Sequence, residues 1–337
     1  MVKRWLSSGS RMSARLMASV LMASALLVAP VVLMAGCGSA VQVAPTSVSS
    51  TAGVQVETLL PSEAAAFSSA GLDPARMRCL ARQRWSTTLR ADAKFTASQV
   101  LDEIGRHGVQ IPDDKRELVR RQLIDTLFWR MVLTQIIDGD LHNLGATRLG
   151  NLTDGAGKPL LLLRTAFTAQ PAATDSCVHS LIATAKVRHI VNLYSGPMPT
   201  QELEASERQV IQAAGGSYYS ARDDPHGNWR EDLRQGDAAQ ARQTAVAAVA
   251  EVIKTQILRP NGAAPKGSVA IHCGGGMHRT GMIFGVFERC INQTPWPEVV
   301  AGYQRHVGYR SSSERGGFEE QNLKFIEEFD CSLVQSR

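Results

Sequence analysis

The stretch VAIHCGGGMHRTGMIFG, residues 269–285, sets one cysteine between an apolar strand-like run and an apolar helix-like run. Cys273 is followed by Gly274, Gly275 and Gly276, then by Met277, His278, Arg279, Thr280 and Gly281. Glycines reach backbone conformations closed to other residues. Several N–H groups in succession can therefore turn inward and form a nest for an anion. A helix beginning near Thr280 aims its positive end at the same place, and Arg279 adds a planar fork that grips two phosphate oxygens. A thiol at the head of this cradle is stabilised as the thiolate, below the ~8.5 of a free cysteine. The loop is thus expected to bind a phosphate and to set a charged sulfur beneath it.

Other chemistries fit less well. His272, Cys273 and His278 match no standard zinc spacing, and no metal or other cofactor is expected. The glycines lack the Gly-Lys-Ser/Thr ending of a nucleotide-binding loop. His278 reads as a pocket-wall residue that meets substrate or as a solvated histidine. Trp229 and Trp296 read as packing.

Taken whole, HCGGGMHRTG resembles the signature of the cysteine-dependent protein tyrosine phosphatase superfamily, with His272, Cys273, Gly276, Arg279, Thr280 and Gly281 at its fixed positions. LLLRTAFTAQP and VRHIVNLYSG are similar to strands of the compact dual-specificity-like branch, so the resemblance covers about residues 160–330. It implies that Cys273 attacks phosphorus, Arg279 holds the equatorial oxygens, and Thr280 helps the thiolate leave. It implies that His272 orients the loop and tunes the thiol, and that the backbone of Gly274–His278 contacts substrate. It also implies an aspartic acid on a loop after the preceding β-segment. Asp224 and Asp223 directly follow a β-prone run in YYSARDDPHGNWRED, and Asp232 lies beyond a turn. Asp224 is taken first, although its separation from Cys273 is wider than in compact enzymes of this kind.

The elements that must position these residues alternate from about residue 158. PLLLLRTA, RHIVNLYSG, SYYSARDD and SVAIHC read as strands. DSCVHSLIATAKV, ELEASERQVIQAAGG, DAAQARQTAVAAVAEVIKTQIL, TGMIFGVFERCIN, PWPEVVAGYQRHV and FEEQNLKFIEEF read as helices. This alternation predicts an α/β fold, a mostly parallel sheet flanked by helices, with reactive loops at the carboxyl ends of the strands. A catalytic domain is placed at 150–335. Residues 57–142 read as an additional helical region with no counterpart in the resemblance. There LDPARMRCLARQ begins with Asp73 as N-cap and Pro74 at the first helical position. A second helix starts at Pro112-Asp113, and Leu123, Ile124, Leu127, Phe128 and Met131 form its apolar stripe.

Lys3, Arg4, Arg11 and Arg15 precede an uncharged apolar run that ends in LMAGC, residues 33–37. This reads as a signal peptide over 1–36. The cysteine after Ala35-Gly36 resembles a bacterial lipoprotein box, with Cys37 lipidated, 37–56 a flexible tether, and the chain anchored in the cell envelope outside the cytoplasm. An uncleaved membrane anchor is the alternative. Removing Cys37 from the six cysteines leaves five, which suggests up to two bridges and one free thiol; their pairing cannot be read. The 337 residues carry a formal charge of +5 that is dispersed along the chain. This mildly favours anionic ligands and gives no sign of nucleic-acid binding.

The expected partner is a phosphorylated protein or a small phosphate ester. Phosphotyrosine, phosphoserine/threonine, phosphoinositide and inositol phosphate all fit the loop, and the lack of a lysine in it favours phosphoprotein. A phosphate-binding pseudo-phosphatase and a sulfur transferase are the rivals.

Overall fold

Short apolar runs buried on both faces build the centre of the sheet. In the computed structural model, the described residues are 59–77, 79, 86–137, 142–168, 177–196, 200–230, 233, 238–307 and 318–335. The signal segment, Cys37, the tether and Asp232 lie outside them. Five strands, β1 (Gly145–Thr153), β2 (Pro159–Thr165), β3 (Val187–Asn192), β4 (Ser217–Ser220) and β5 (Ser268–His272), lie in the order β1-β2-β5-β3-β4. β2, β5, β3 and β4 are mutually parallel, and β1 is antiparallel to β2. Thr165 and Asn192 both register with His272, and Asn192 with Ser220. The carboxyl ends of the parallel strands therefore share one edge, where such sheets carry their ligand sites.

Leu160, Leu162, Val191, Val269 and Ile271 point to one face. There they pack with Phe128 and Val132 of a long helix and with Met282, Ile283 and Phe287 of the helix after Cys273. Leu161, Leu163, Ile190 and Ala270 point to the other face, with Phe67, Val178, Leu181 and Ile211. The alternation is that of the pleat, and both faces are covered, as a parallel sheet requires. The helices are α1 (Pro61–Ser69), α2 (Ser86–Arg106), α3 (Asp113–Ile137), α4 (Cys177–Ala183), α5 (Gln201–Ala213), α6 (Ala238–Glu251), α7 (His278–Cys290), α8 (Trp296–Val307), α9 (Phe318–Glu327) and α10 (Ser332–Gln335). α6 runs on into a π-helical segment, Val252–Leu258. None of the described helices is long and apolar enough to cross a membrane.

Two expectations change. The helix expected from Asp73 is only a 3-10 turn at Pro74–Arg76 among the described residues. The edge strand β1 was not anticipated, because GATRLGNLT mixes polar residues and glycines into its run, with Gly150 at φ 59 and an irregular register between Arg148 and Thr153. The stripe on α3 is core packing as read, with Ile124 and Phe128 buried and Leu123, Leu127 and Met131 half-buried against the core. The cysteines pair as Cys79–Cys177 and Cys290–Cys331. Cys273 is the free, buried cysteine of the described residues.

Candidate active site

β5 is buried along its length and delivers Cys273 to the carboxyl edge of the sheet. The chain then turns through 274–277 and enters α7 at His278, two residues earlier than expected. Of the three glycines, Gly276 takes the left-handed conformation, φ +66, and a Cβ there would strike the Thr165 carbonyl of β2. Only glycine allows that turn against that strand. The carbonyl oxygens of the loop are bonded outward. Gly276 O accepts from Arg164 Nη2 at 2.8 Å and Asn143 Nδ2 at 3.1 Å, Gly275 O from Asn143 Nδ2 at 3.0 Å, and Gly274 O from Phe167 N at 3.4 Å. With these carbonyls held on one side, the loop's N–H groups are available to the other, as an anion nest requires.

Burial pushes the Cys273 thiol up. The hydroxyl and backbone N–H of Thr280, the charge of Arg279 and the charge of His272 oppose this and hold it below the ordinary thiol value. Glu207 favours the charged form of His272. Burial pulls the imidazole down, but the Glu207 carboxylate 3.0 Å from Nε2 more than offsets it and raises the histidine above its ordinary value. Nδ1 lies 3.2 Å from the Cys273 carbonyl oxygen, so both ring nitrogens face acceptors. Glu207 is fully buried, yet it is held below the usual carboxylate range by His272 and by Thr168, whose N–H and hydroxyl donate at 2.6 and 2.7 Å. The Tyr218 hydroxyl donates to its other oxygen at 3.0 Å.

Glu207 was not singled out from the sequence, though a signal existed. It lies four residues after Leu203 and four before Ile211, on the buried stripe of α5. Arg164 likewise follows the four leucines of β2, one residue before the strand ends. Burial draws its guanidinium down to about 10, against the opposing charges of Glu63 and Cys273.

Arg279 and Thr280 are buried in the first turn of α7, and the Arg279 guanidinium carbon lies 5.8 Å from the Tyr194 ring centroid. Met277 is fully buried in the core cluster. His278 is not solvated; it is buried edge-on to Trp129 of α3, with centroids 6.3 Å apart. Trp229 is buried and stacks on Phe325, and Trp296 packs half-buried on the core.

The aspartates are placed differently. Asp223 is exposed and pairs with Arg208 at 3.0 Å. Asp224 follows the 3-10 turn Ala221–Asp223 after β4. Its carboxylate accepts from the Tyr219 hydroxyl at 2.7 Å and the His226 N–H at 2.8 Å, and does not bond to the Cys273 loop. It borders an open cavity of about 440 Å³ with Tyr219, Trp229, Thr244 and Gln256, which the Cys273 loop does not line. Arg222, two residues earlier, lies 5.9 Å from the same Tyr194 ring that Arg279 faces. Among the described residues no cluster of three or more His, Cys, Asp or Glu could hold a metal.

No protein-family model matches the chain, and no curated protein matches its sequence. Among solved structures it is similar to the core catalytic domain of the PP-IP phosphatase Siw14 from S. cerevisiae, solved with citrate. That match has 17% identity over 52% of this chain and 83% of that one, with a TM-score of 0.33. It is also similar to P. aeruginosa TpbA, with 15% identity over 57% of this chain and 89% of that one and a TM-score of 0.27.

Proposed function

We propose that this chain is a cysteine-dependent phosphatase that hydrolyses phosphate monoesters through a phosphocysteine intermediate. The observation that carries the reading is Cys273 itself. It is an unbridged thiol drawn below its ordinary pKa, at the head of a loop whose carbonyls are bonded outward and whose next turn carries Arg279 and Thr280. The thiolate attacks phosphorus, the P–S bond forms, and the ester P–O bond breaks as Asp224 gives its proton to the leaving oxygen. Water then attacks phosphorus, Asp224 takes its proton, and the P–S bond breaks to return the thiolate, assisted by the Thr280 hydroxyl. Arg279 and the loop N–H groups hold the phosphoryl oxygens throughout. In this mechanism Asp224 must leave Tyr219 and turn toward the loop.

The substrate class we favour is phosphoprotein, phosphotyrosine first and phosphoserine/threonine second, with inositol phosphates and phosphoinositides as the alternative. A phosphate-binding pseudo-phosphatase is favoured by one observation, the Asp224 carboxylate turned to Tyr219. Export with a lipid on Cys37 belongs to the same proposal and is supported by the two disulfides, which suit an oxidising compartment. Cys37→Ala would then release the protein from membranes.

Phosphate release from phosphotyrosine and phosphoserine peptides and inositol phosphates tests the proposal, together with tungstate binding. Release that disappears in Cys273→Ser while tungstate still binds is the expected result. Release retained by Cys273→Ser overturns the mechanism. Tungstate binding by the wild type without release from any substrate selects the pseudo-phosphatase.

A further inference from the structure

A buried chain of hydrogen bonds reaches the carbonyl side of the Cys273 loop from three separate parts of the sequence. Asn143 precedes β1 and is 1% exposed, with φ 49 in the left-handed region. Its Nδ2 lies 3.0 Å from Gly275 O, 3.1 Å from Gly276 O and 3.0 Å from His306 O. Three carbonyls around one nitrogen fix the amide's orientation, so Oδ1 faces His306 Nδ1, 2.8 Å away, and that nitrogen must donate. On the other side of the ring, His306 Nε2 lies 2.5 Å from Glu63 Oε1. The second Glu63 oxygen accepts from the Leu60 N–H at 2.9 Å. His306, on α8, and Glu63, on α1, are both buried. At Gly145 a Cβ would strike both Glu63 Oε1 and His306 Nε2, so the start of β1 is a glycine where the chain passes this junction.

A loop with three successive glycines can flip its peptides at little steric cost. A flipped peptide would turn a carbonyl oxygen toward the thiolate and the anion. We infer that Glu63, His306 and Asn143 are positioning residues that hold the Gly275 and Gly276 carbonyls away from the nest and so keep the loop's N–H groups aimed at the phosphoryl oxygens. The inference rests on the reading of this loop as a phosphate nest. It makes α1 a support of the reaction site through a chain in which each member orients the next: Glu63 fixes the His306 ring, His306 fixes the Asn143 amide, and the amide fixes the loop. Arg164 bonds Gly276 O on the same side but leaves Gly275 O to Asn143.

The test uses the full chain, tungstate titration as the probe, and the pH dependence of Cys273 alkylation by iodoacetamide. Asn143→Asp keeps the size and the tolerance for left-handed φ but removes the donors. Glu63→Ala breaks the chain at its origin, and Glu63→Gln can still bond both His306 and the Leu60 N–H. Folded Asn143→Asp and Glu63→Ala should bind tungstate about tenfold more weakly or worse, the scale of one lost buried hydrogen bond to a charged assembly. Their alkylation midpoints should move to higher pH, and Glu63→Gln should recover most of the affinity. Wild-type affinity in folded Asn143→Asp, or a Glu63→Gln as impaired as Glu63→Ala, overturns the inference. If Asn143→Asp does not fold, the two Glu63 variants decide alone. A wild type that binds tungstate but hydrolyses no ester overturns the phosphatase reading and leaves this one standing. A wild type that does not bind tungstate overturns the nest and this inference with it.

Discussion

Replacing Glu207 by glutamine removes the counter-ion of His272 while keeping the side chain's volume. The glutamine carbonyl can still accept from Thr168, and its amide can face the Tyr218 hydroxyl and a neutral His272, so the change isolates charge. Both partners are almost wholly buried and 3.0 Å apart. Removing one charge of a buried pair costs ~3–5 kcal/mol; here His272 can shed its proton, which holds the loss toward the lower figure. The pH dependence follows from the two shifts. Glu207 is lowered from 4.5, so its contribution is present above that value and fades as pH falls through its folded pKa. His272 is raised from 6.5, so its contribution is present below that value and fades as pH rises through its folded pKa. The destabilisation by Glu207→Gln should therefore be largest between these two ordinary values. Urea denaturation of both proteins at about pH 5.5 and about pH 8.5 reads it. The same variant should shift Cys273 alkylation to higher pH, because the thiolate loses the positive charge of His272. A penalty as large at the alkaline pH as at the acidic one, or an unmoved alkylation profile, would rule out a charged pair of Glu207 and His272 beneath the thiol.

Asp224→Asn should slow phosphotyrosine or alkyl phosphate hydrolysis roughly a hundredfold or more and an activated aryl ester less; steady-state rates on the two ester classes check it. Asp223→Asn should be mild, since Asp223 is exposed and paired with Arg208. The Cys79–Cys177 bridge spans 98 residues, so its double serine variant should lose about 2–5 kcal/mol in denaturant unfolding, while Cys273 alkylation in the folded protein stays as it was.

The parallel strands could be read from the sequence because PLLLLRTA and SVAIHC are short apolar runs buried on both faces, and the loop could be read because its spacing is local. β1 escaped because its partner β2, rather than its own composition, makes it a strand. Glu207 carried a signal, a charge on the apolar stripe of α5, that went unused. Asn143, His306 and Glu63 carried none. Each is an ordinary polar residue, and the bonds that join them span 163 and 243 positions. The cysteine pairs were equally out of reach, since two bridges among four cysteines leave three connectivities. The bond from the Tyr219 hydroxyl to Asp224 was likewise out of reach of the sequence.

The proposed phosphatase mechanism requires Cys273 to become covalently phosphorylated during turnover. Acid-quenching the protein within the first turnover of a phosphate ester, digesting it, and measuring the mass of the peptide that contains Cys273 tests this directly. One added phosphoryl group on Cys273, absent from Cys273→Ser and lost when the quench is delayed until substrate is exhausted, is the expected result. Ester hydrolysis at full rate with no phosphoryl group on that peptide at any time would contradict it.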